Sequence, residues 1–300
     1  MPLDVSIIIV NYKTSKLIND CIRSIFEKTQ GISYEIIIVD NATEVLADVI
    51  ESAEDARVRL IQLPENVGFG RANNAGAKIA RGRNLFFLNP DTLLLNNAIK
   101  ILSNYLDAHP KCGACGGNLY DEKMKPALSF RRMLPGIKWE LNELLNRIPE
   151  KIQYGKNRTY NRKSHPLKVA YITGADLMIP HTVYHKVSGF SQDFFMYYEE
   201  TDLCARIQNL KLHRYSIPNA RIQHLEGKSF TDKINETKIR YIETGRLKYY
   251  HRNHHRIYAC FANLIYESYL VSRIIILKRH KRQFYISRFR IFNDLLRFNH

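Results

Sequence analysis

The segment Asn84-Leu-Phe-Phe-Leu-Asn-Pro-Asp91 constrains the fold of this chain more than any other. Leu85 to Leu88 is an apolar run of strand length, and such a run reads as a strand buried on both faces. Asn89-Pro90-Asp91 stops it, because proline donates no ladder hydrogen bond and fixes the turn that presents the acid. Strands covered on both faces belong to parallel sheets, and a carboxylate at the carboxyl end of one stands where open α/β sheets bind ligands. An Asp that caps a helix over residues 92–99 is the competing reading.

The preceding residues supply the rest of such a sheet. Val5–Val10, Glu35–Val39 and Val58–Leu63 read as further strands. Between the first two, after a cap at Thr14 or Ser15, Leu17, Ile18, Cys21, Ile22, Ile25 and Phe26 recur at helical spacing. A second helix is expected from about Arg71 to Ala80, with Ala72, Ala75, Gly76 and Ile79 inward. Strands alternating with helices imply parallel pairs joined by right-handed crossovers, a Rossmann-like half in an α/β protein.

Beyond it, a helix is expected over 97–107, a polar and basic flap carrying the lone Trp139 over 121–168, and a strand over 169–178. A helix near His181 closes at Gly189-Phe190, short strands follow at 212–217 and 220–224, and the chain after 230 reads as helical and basic. Cys112-Gly-Ala-Cys115 has the spacing of half a zinc ribbon, but no second pair completes it, so it reads as core packing. Five cysteines, mostly in apolar contexts, fit a reducing compartment, and no secretory signal opens the chain, so a cytoplasmic protein is expected.

The formal charge of +16 implies an anionic partner, and its distribution narrows the choice. Residues 251–300 hold ten Lys or Arg against Glu267 and Asp294. Within this tail Ile257 to Leu277 is apolar, but Asn263, Glu267 and Arg273 interrupt it, which argues against a spanning helix. Aromatic residues alternating with basic ones suit an interfacial helix on an anionic membrane surface. Helices packed on the main domain with a solvated basic face suit the same letters.

Four stretches carry chemistry. Asp40 closes the second strand, where a carboxylate can accept the ring N3–H of uracil or thymine; Asp40-Asn41 is equally a common strand-end turn. Asn66-Val-Gly68-Phe-Gly70-Arg-Ala-Asn73-Asn74 precedes a helix, and its small residues would let backbone N–H groups approach phosphate or sugar oxygens. Its third position is not glycine and it follows the third strand, which disfavours a dinucleotide fold. In Phe194-Phe-Met-Tyr-Tyr198-Glu199-Glu200-Thr-Asp202, adjacent acids repel one another; on a helix Asp202 can pair with Arg206, leaving Glu200 to meet a substrate. His224 ends a strand before Gly227-Lys-Ser-Phe, and its neighbours do not decide whether it is a ligand.

Taken in order, VSIIIVNY, IIIVDN, PENVGFGRANNAG, FFLNPD, YITGADLMI, GFSQDFFMYYEETDLCARI and HLEGKS resemble family 2 glycosyltransferases of the GT-A fold, in a rhamnosyltransferase-like branch that builds bacterial surface polysaccharides. The resemblance covers residues 4 to about 230 and implies a catalytic domain over 1–230, with a nucleotide-sugar half to about 120, an acceptor half over 121–230, and a basic helical extension over 231–300. It implies inverting sugar transfer from a nucleotide diphosphate sugar to a glycan or polyprenyl-linked acceptor. By it Ile9, Asn11, Asp40 and Asn41 hold the nucleotide, while Asn66, Gly68, Phe69, Gly70, Asn73, Asn74 and Asn89 line the donor. Asp91, with His224, binds a divalent cation, Mg or Mn. Glu200 matches the general base, and Gly174, Ala175, Asp176, Tyr198 and Glu199 shape the acceptor pocket.

Two positions depart from that pattern. Asn89 stands where many relatives have the first acid of a D-x-D motif, and Glu200 stands where the base is usually Asp, a difference of roughly 1.5 Å in reach. The branch favours dTDP-rhamnose as donor, with UDP-sugars next. A sugar nucleotidyltransferase would want a glycine-rich basic loop after the first strand, where Asn11-Tyr-Lys-Thr14 stands here. A nucleic-acid-binding protein would explain the basic tail but not the blocks around Asp91 and Glu200, so no nucleic acid is expected.

Overall fold

The computed structural model describes residues 3–41, 50–225 and 236–298. The chain runs β1 (Leu3–Asn11), α1 (Ser15–Lys28), β2 (Tyr34–Asp40), β3 (Val58–Gln62), α2 (Phe69–Ile79), β4 (Gly82–Leu88), β5 (Thr92–Leu94) and α3 (Ala98–Ala108). It continues through β6 (Cys112–Tyr120), β7 (Phe130–Arg131), α4 (Ile137–Leu144), α5 (Ile148–Tyr154), β8 (Leu167–Val169), β9 (Tyr171–Ile172), β10 (Asp176–Pro180) and α6 (His181–Lys186). Last come α7 (Glu199–Asn209), β11 (His213–His224), α8 (Glu236–Asn253), α9 (Arg256–Ile276) and α10 (Arg279–Phe298).

The main sheet has the order β3-β2-β1-β4-β10-β6-β11-β5, with β8 also on β11. The first four strands are parallel, as their uninterrupted apolar sequences demand. β10 then joins β4 antiparallel, which makes the sheet mixed. Alternate residues of β1 serve opposite layers: Ile7 and Ile9 pack with Ile18, Ile22 and Leu102 of α1 and α3. Ile8 and Val10 pack with Ala72, Phe190 and Leu203 on the α2 and α7 side. This three-layer arrangement places the strand order's reversal between β1 and β4, so the crevice beyond Asn11 and Leu88 is the ligand position of an open α/β sheet.

The structure amends several expectations. Thr92–Leu94 is a strand on β11, not the first turn of a helix, because Asp91 leads into an edge pairing with Ile222–His224. The strand expected over 169–178 is broken into β8, β9 and β10, and the two short strands after Leu212 are one, β11, with an irregularity between Ser216 and Arg221. β6 was not anticipated, since its glycines weaken the strand signal; Cys112 and Cys115 are buried there in the core, as the packing reading expects. The Gly227-Lys-Ser-Phe loop and the boundary at 230 lie outside the described residues.

The basic extension packs on the rest of the protein. Asn253 Nδ2 donates to Asp202 Oδ1 at 3.0 Å, joining α8 to α7, and Lys248 Nζ donates to the Asp193 carbonyl at 2.6 Å. Behind them the Arg246 guanidinium is fully buried, 2.9 Å from Glu140 of α4 and stacked 3.9 Å from the Tyr266 ring of α9. The Glu243 carboxylate accepts from Arg288 of α10 at 2.6 Å and from Tyr266 Oη at 2.7 Å. Two buried ion pairs thus tie the flap and all three terminal helices into one unit.

Candidate active site

At the end of β2, Asp40 is fully buried and its two oxygens accept from Asn11 Nδ2 at 2.9 Å and from Gln62 Nε2. Gln62 escaped the sequence reading, though it is the β3 residue in register with Asp40. Ile9 is fully buried among core residues, and its side chain serves packing.

Asn41 holds the next loop. Its Nδ2 donates to Asn66 Oδ1 at 2.8 Å, and its Oδ1 accepts from the Val67 N–H at 2.9 Å. Gly68 has φ +88°, and a Cβ there would lie 2.2 Å from the Phe195 carbonyl oxygen. The residue is glycine because the loop must turn left-handed while its backbone touches another segment. The neighbouring Phe69 N–H donates to that same carbonyl at 3.0 Å, so the 66–70 loop is fastened to the run that leads into α7. Asn73 and Asn74 serve the scaffold: Asn73 Nδ2 donates to the Phe69 carbonyl at 3.0 Å, and Asn74 clamps the Phe190 backbone through bonds of 2.8 and 2.9 Å.

α7 begins after two tyrosines in left-handed conformation, Tyr197 and Tyr198, with φ of +70° and +72°. Bulky residues seldom adopt this geometry, and it persists only where packing enforces it. Gly245 of α8 is part of that packing: a Cβ on it would come within 2.6 Å of the Tyr197 carbonyl oxygen. The two glutamates that follow the turn face different neighbours. Glu199 is buried, its Cβ 3.5 Å from where a Cβ on Gly70 would stand. Glu200 is half-buried, and its Cβ lies 3.9 Å from where a Cβ on Gly174 would stand, with the Phe69 ring on the same glycine at 3.5 Å.

Asp202 makes the expected pair with Arg206 at 2.8 Å. The charge of Asp202 is met by Arg206, with Asn253 donating to its other oxygen, and burial is the main cause that raises the Glu200 carboxyl above the ordinary carboxylate range. Hydrogen bonds from the first turn of α7 pull in the opposite direction and do not overcome it. Burial also lifts Glu199, with the charge of Glu200 adding to the effect.

At the edge of β5, Asp91 Oδ1 lies 3.2 Å from His224 Nε2, with the Asn89 amide nitrogen 3.5 Å from the same ring nitrogen. The Asn89 N–H donates to the Ala175 carbonyl at 3.0 Å. The Ala175 carbonyl is thus bound to the turn that leads to Asp91, and the residue before it, Gly174, is the one whose added Cβ would meet the Glu200 Cβ. Ala175 and Asp176 are themselves buried, and Asp176 Oδ2 accepts from the Gly117 N–H at 2.6 Å, so of the expected acceptor trio Gly174 alone lies against Glu200. Burial holds the Asp176 carboxyl well above its usual range.

Among the described residues, no three His, Cys, Asp or Glu side chains gather as a metal site. Asp91 and His224 are a two-donor set. Their spacing would let both face one divalent cation, which would take its other oxygen ligands from a bound diphosphate and water.

The chain is 25% identical over 230 residues to the low-salt glycan biosynthesis hexosyltransferase Agl10 of Haloferax volcanii, covering 72% of this chain and 66% of the relative. It is 26% identical over 196 residues to the dTDP-rhamnosyl transferase RfbF of Shigella flexneri, covering 64% and 60%. An N-acetylglucosaminyl-diphospho-decaprenol L-rhamnosyltransferase of Mycobacterium tuberculosis is 24% identical over 187 residues, covering 57% and 60%. The chain thus spans about two-thirds or less of these relatives' lengths. The crystal structure of GalNAc-T7 with UDP, GalNAc and Mn2+ superposes with a TM-score of 0.58 at 14% identity, covering 83% of this chain and 50% of that one, a likeness of fold. The glycosyl transferase family 2 profile matches residues 6–166, more than half of the sequence, and the chain belongs to that family.

Proposed function

We propose that this protein transfers a sugar with inversion from a nucleotide diphosphate sugar, with dTDP-rhamnose the leading donor and UDP-sugars next, to a hydroxyl of a glycan or polyprenyl-linked acceptor in surface polysaccharide synthesis. The observation that carries this reading is that the Ala175 carbonyl accepts from the Asn89 N–H of the turn leading to Asp91 while the preceding residue, Gly174, faces the Cβ of Glu200, which supports a common site for the two acids. The branch relatives named for rhamnosyl transfer support the choice of donor.

In this reading Asn11, Asp40 and Asn41 hold the base and ribose at the sheet's switch point, and the 66–70 loop borders the sugar. A divalent cation held by Asp91 and His224 would neutralise charge on the departing diphosphate. Glu200 takes the proton of the acceptor hydroxyl as its oxygen bonds to the anomeric carbon from the face opposite the diphosphate. Burial suits Glu200 to that task, since a carboxyl with a raised pKa is a stronger base than an exposed one.

A thermal-shift panel of dTDP, UDP, GDP and their sugars, each with Mg or Mn, tests the proposal, because a ligand selective for the native state raises the melting temperature. A metal-dependent rise with dTDP-rhamnose or a UDP-sugar is expected. No rise with any nucleotide, together with retention on heparin, would favour a nucleic-acid-binding protein.

A further inference from the structure

α9 presents two unlike faces. Ala262, Tyr266, Tyr269 and Leu270 are buried against α4, α8 and α10. Ile257, Phe261, Leu264, Val271 and Ile275 recur along the other face and are exposed, Ile257 and Ile275 at 73% and 70%. α4, which packs along α9, and the α5 that follows it add exposed Leu141, Leu145, Ile148 and Ile152. Apolar side chains concentrated in this way on a folded protein mark a surface that something covers.

Charge indicates what covers it. Arg256 is exposed at the start of the apolar row, and Lys278, Arg279, Lys281 and Arg282 are exposed just past its end. Between His255 and Arg282 the only acid is Glu267. A shallow, almost wholly apolar recess of about 310 Å³ is lined by Arg256, Ile257, Cys260, Phe261 and Leu264, and its apolar floor suits an acyl chain. By length and composition α9 could cross a membrane. Its buried face prevents that: withdrawing Tyr266 would strip the Arg246 and Glu243 ion pairs of their partner inside the protein.

We propose that α9 lies in the plane of an anionic phospholipid bilayer, with the row from Ile257 to Ile275 and the apolar residues of α4–α5 in the acyl boundary and the flanking Lys and Arg on headgroup phosphates. This goes beyond the transferase reading, and its test uses no sugar donor. The full-length protein is floated with phosphatidylcholine vesicles with and without phosphatidylglycerol, at low and high salt.

Binding to the anionic vesicles only is expected, weakened about tenfold or more by salt. Phe261→Asp with Leu264→Asp should abolish it, and Lys278, Arg279, Lys281 and Arg282 all changed to Gln should weaken it at least tenfold, both with the parent's circular dichroism and melting temperature. Either of two outcomes overturns the proposal. One is equal partition to both vesicle types or to neither. The other is a solution dimer that the Asp pair dissociates while vesicle binding is absent, which would assign the face to a second copy. Should the Asp pair fail to fold, Ile257→Ser and Ile275→Ser, at the two most exposed positions of the row, carry the same expectation.

Discussion

Asp91 Oδ1 and His224 Nε2 stand 3.2 Å apart across the pairing of β5 with β11, although 133 positions separate them in the chain. If both hold one cation on the donor diphosphate, Asp91→Asn and His224→Ala should each weaken Mn-dependent nucleotide binding by roughly 10–100-fold and leave metal-free binding unchanged. Calorimetric titration of dTDP and UDP with Mn and with chelator measures both. Equal affinity with chelator would remove the metal from the site.

Glu200→Gln keeps the shape of the side chain and removes its basicity. Donor affinity should stay within error while turnover falls about a hundredfold or more. In the parent, activity should rise with pH through a step above the ordinary carboxylate range, since burial raises this carboxyl and only its ionised form accepts a proton. The step should vanish from the residual activity of the variant. A parent profile flat above the ordinary range would sink the assignment.

Asp176 gives a stability test independent of activity. Its raised carboxyl binds a proton more tightly in the native state than in the unfolded chain, so that stabilisation is complete below the ordinary carboxylate range and is lost as pH climbs through the raised pKa. Asp176→Asn keeps an acceptor for the Gly117 N–H and removes the ionisation. The variant should lose less stability than the parent between mildly acidic and neutral pH, by on the order of 1–3 kcal/mol in urea unfolding.

Gly245 tests whether the extension positions the base. A methyl group at this position meets the Tyr197 carbonyl at 2.6 Å and must push on the left-handed turn that sets Glu200. Gly245→Ala should lower kcat by roughly tenfold with donor KM little changed, at a stability cost of about 1–3 kcal/mol. Equal losses in donor binding and kcat would point to general unfolding instead.

The Arg246–Glu140 pair tests the union of flap and tail. Arg246→Met strands a buried carboxylate and should cost about 3–5 kcal/mol. Adding Glu140→Gln removes that stranded charge, and the double variant should recover most of the loss in denaturant unfolding.

What the sequence determined by itself was whatever depends on neighbours along the chain. The apolar runs of β1, β2 and β4 and the helical spacing of α1 have short periods, and the turns at Asp40, Gly68 and Pro90 use residues whose backbone limits are local. The i,i+4 pairing of Asp202 with Arg206 was legible for the same reason. Tertiary structure alone decided the rest. Thr92–Leu94 is a strand because β11 offers an edge, against its local reading as a helix start. Gln62 meets Asp40 because β3 lies beside β2, and Gly245 matters because α8 presses on a turn almost fifty residues earlier. The burial that raises Glu200 has the same origin. Periodicity and turn chemistry reside in a few consecutive residues, whereas edge pairing, close backbone approach and exclusion of water require segments that meet only after the chain has folded.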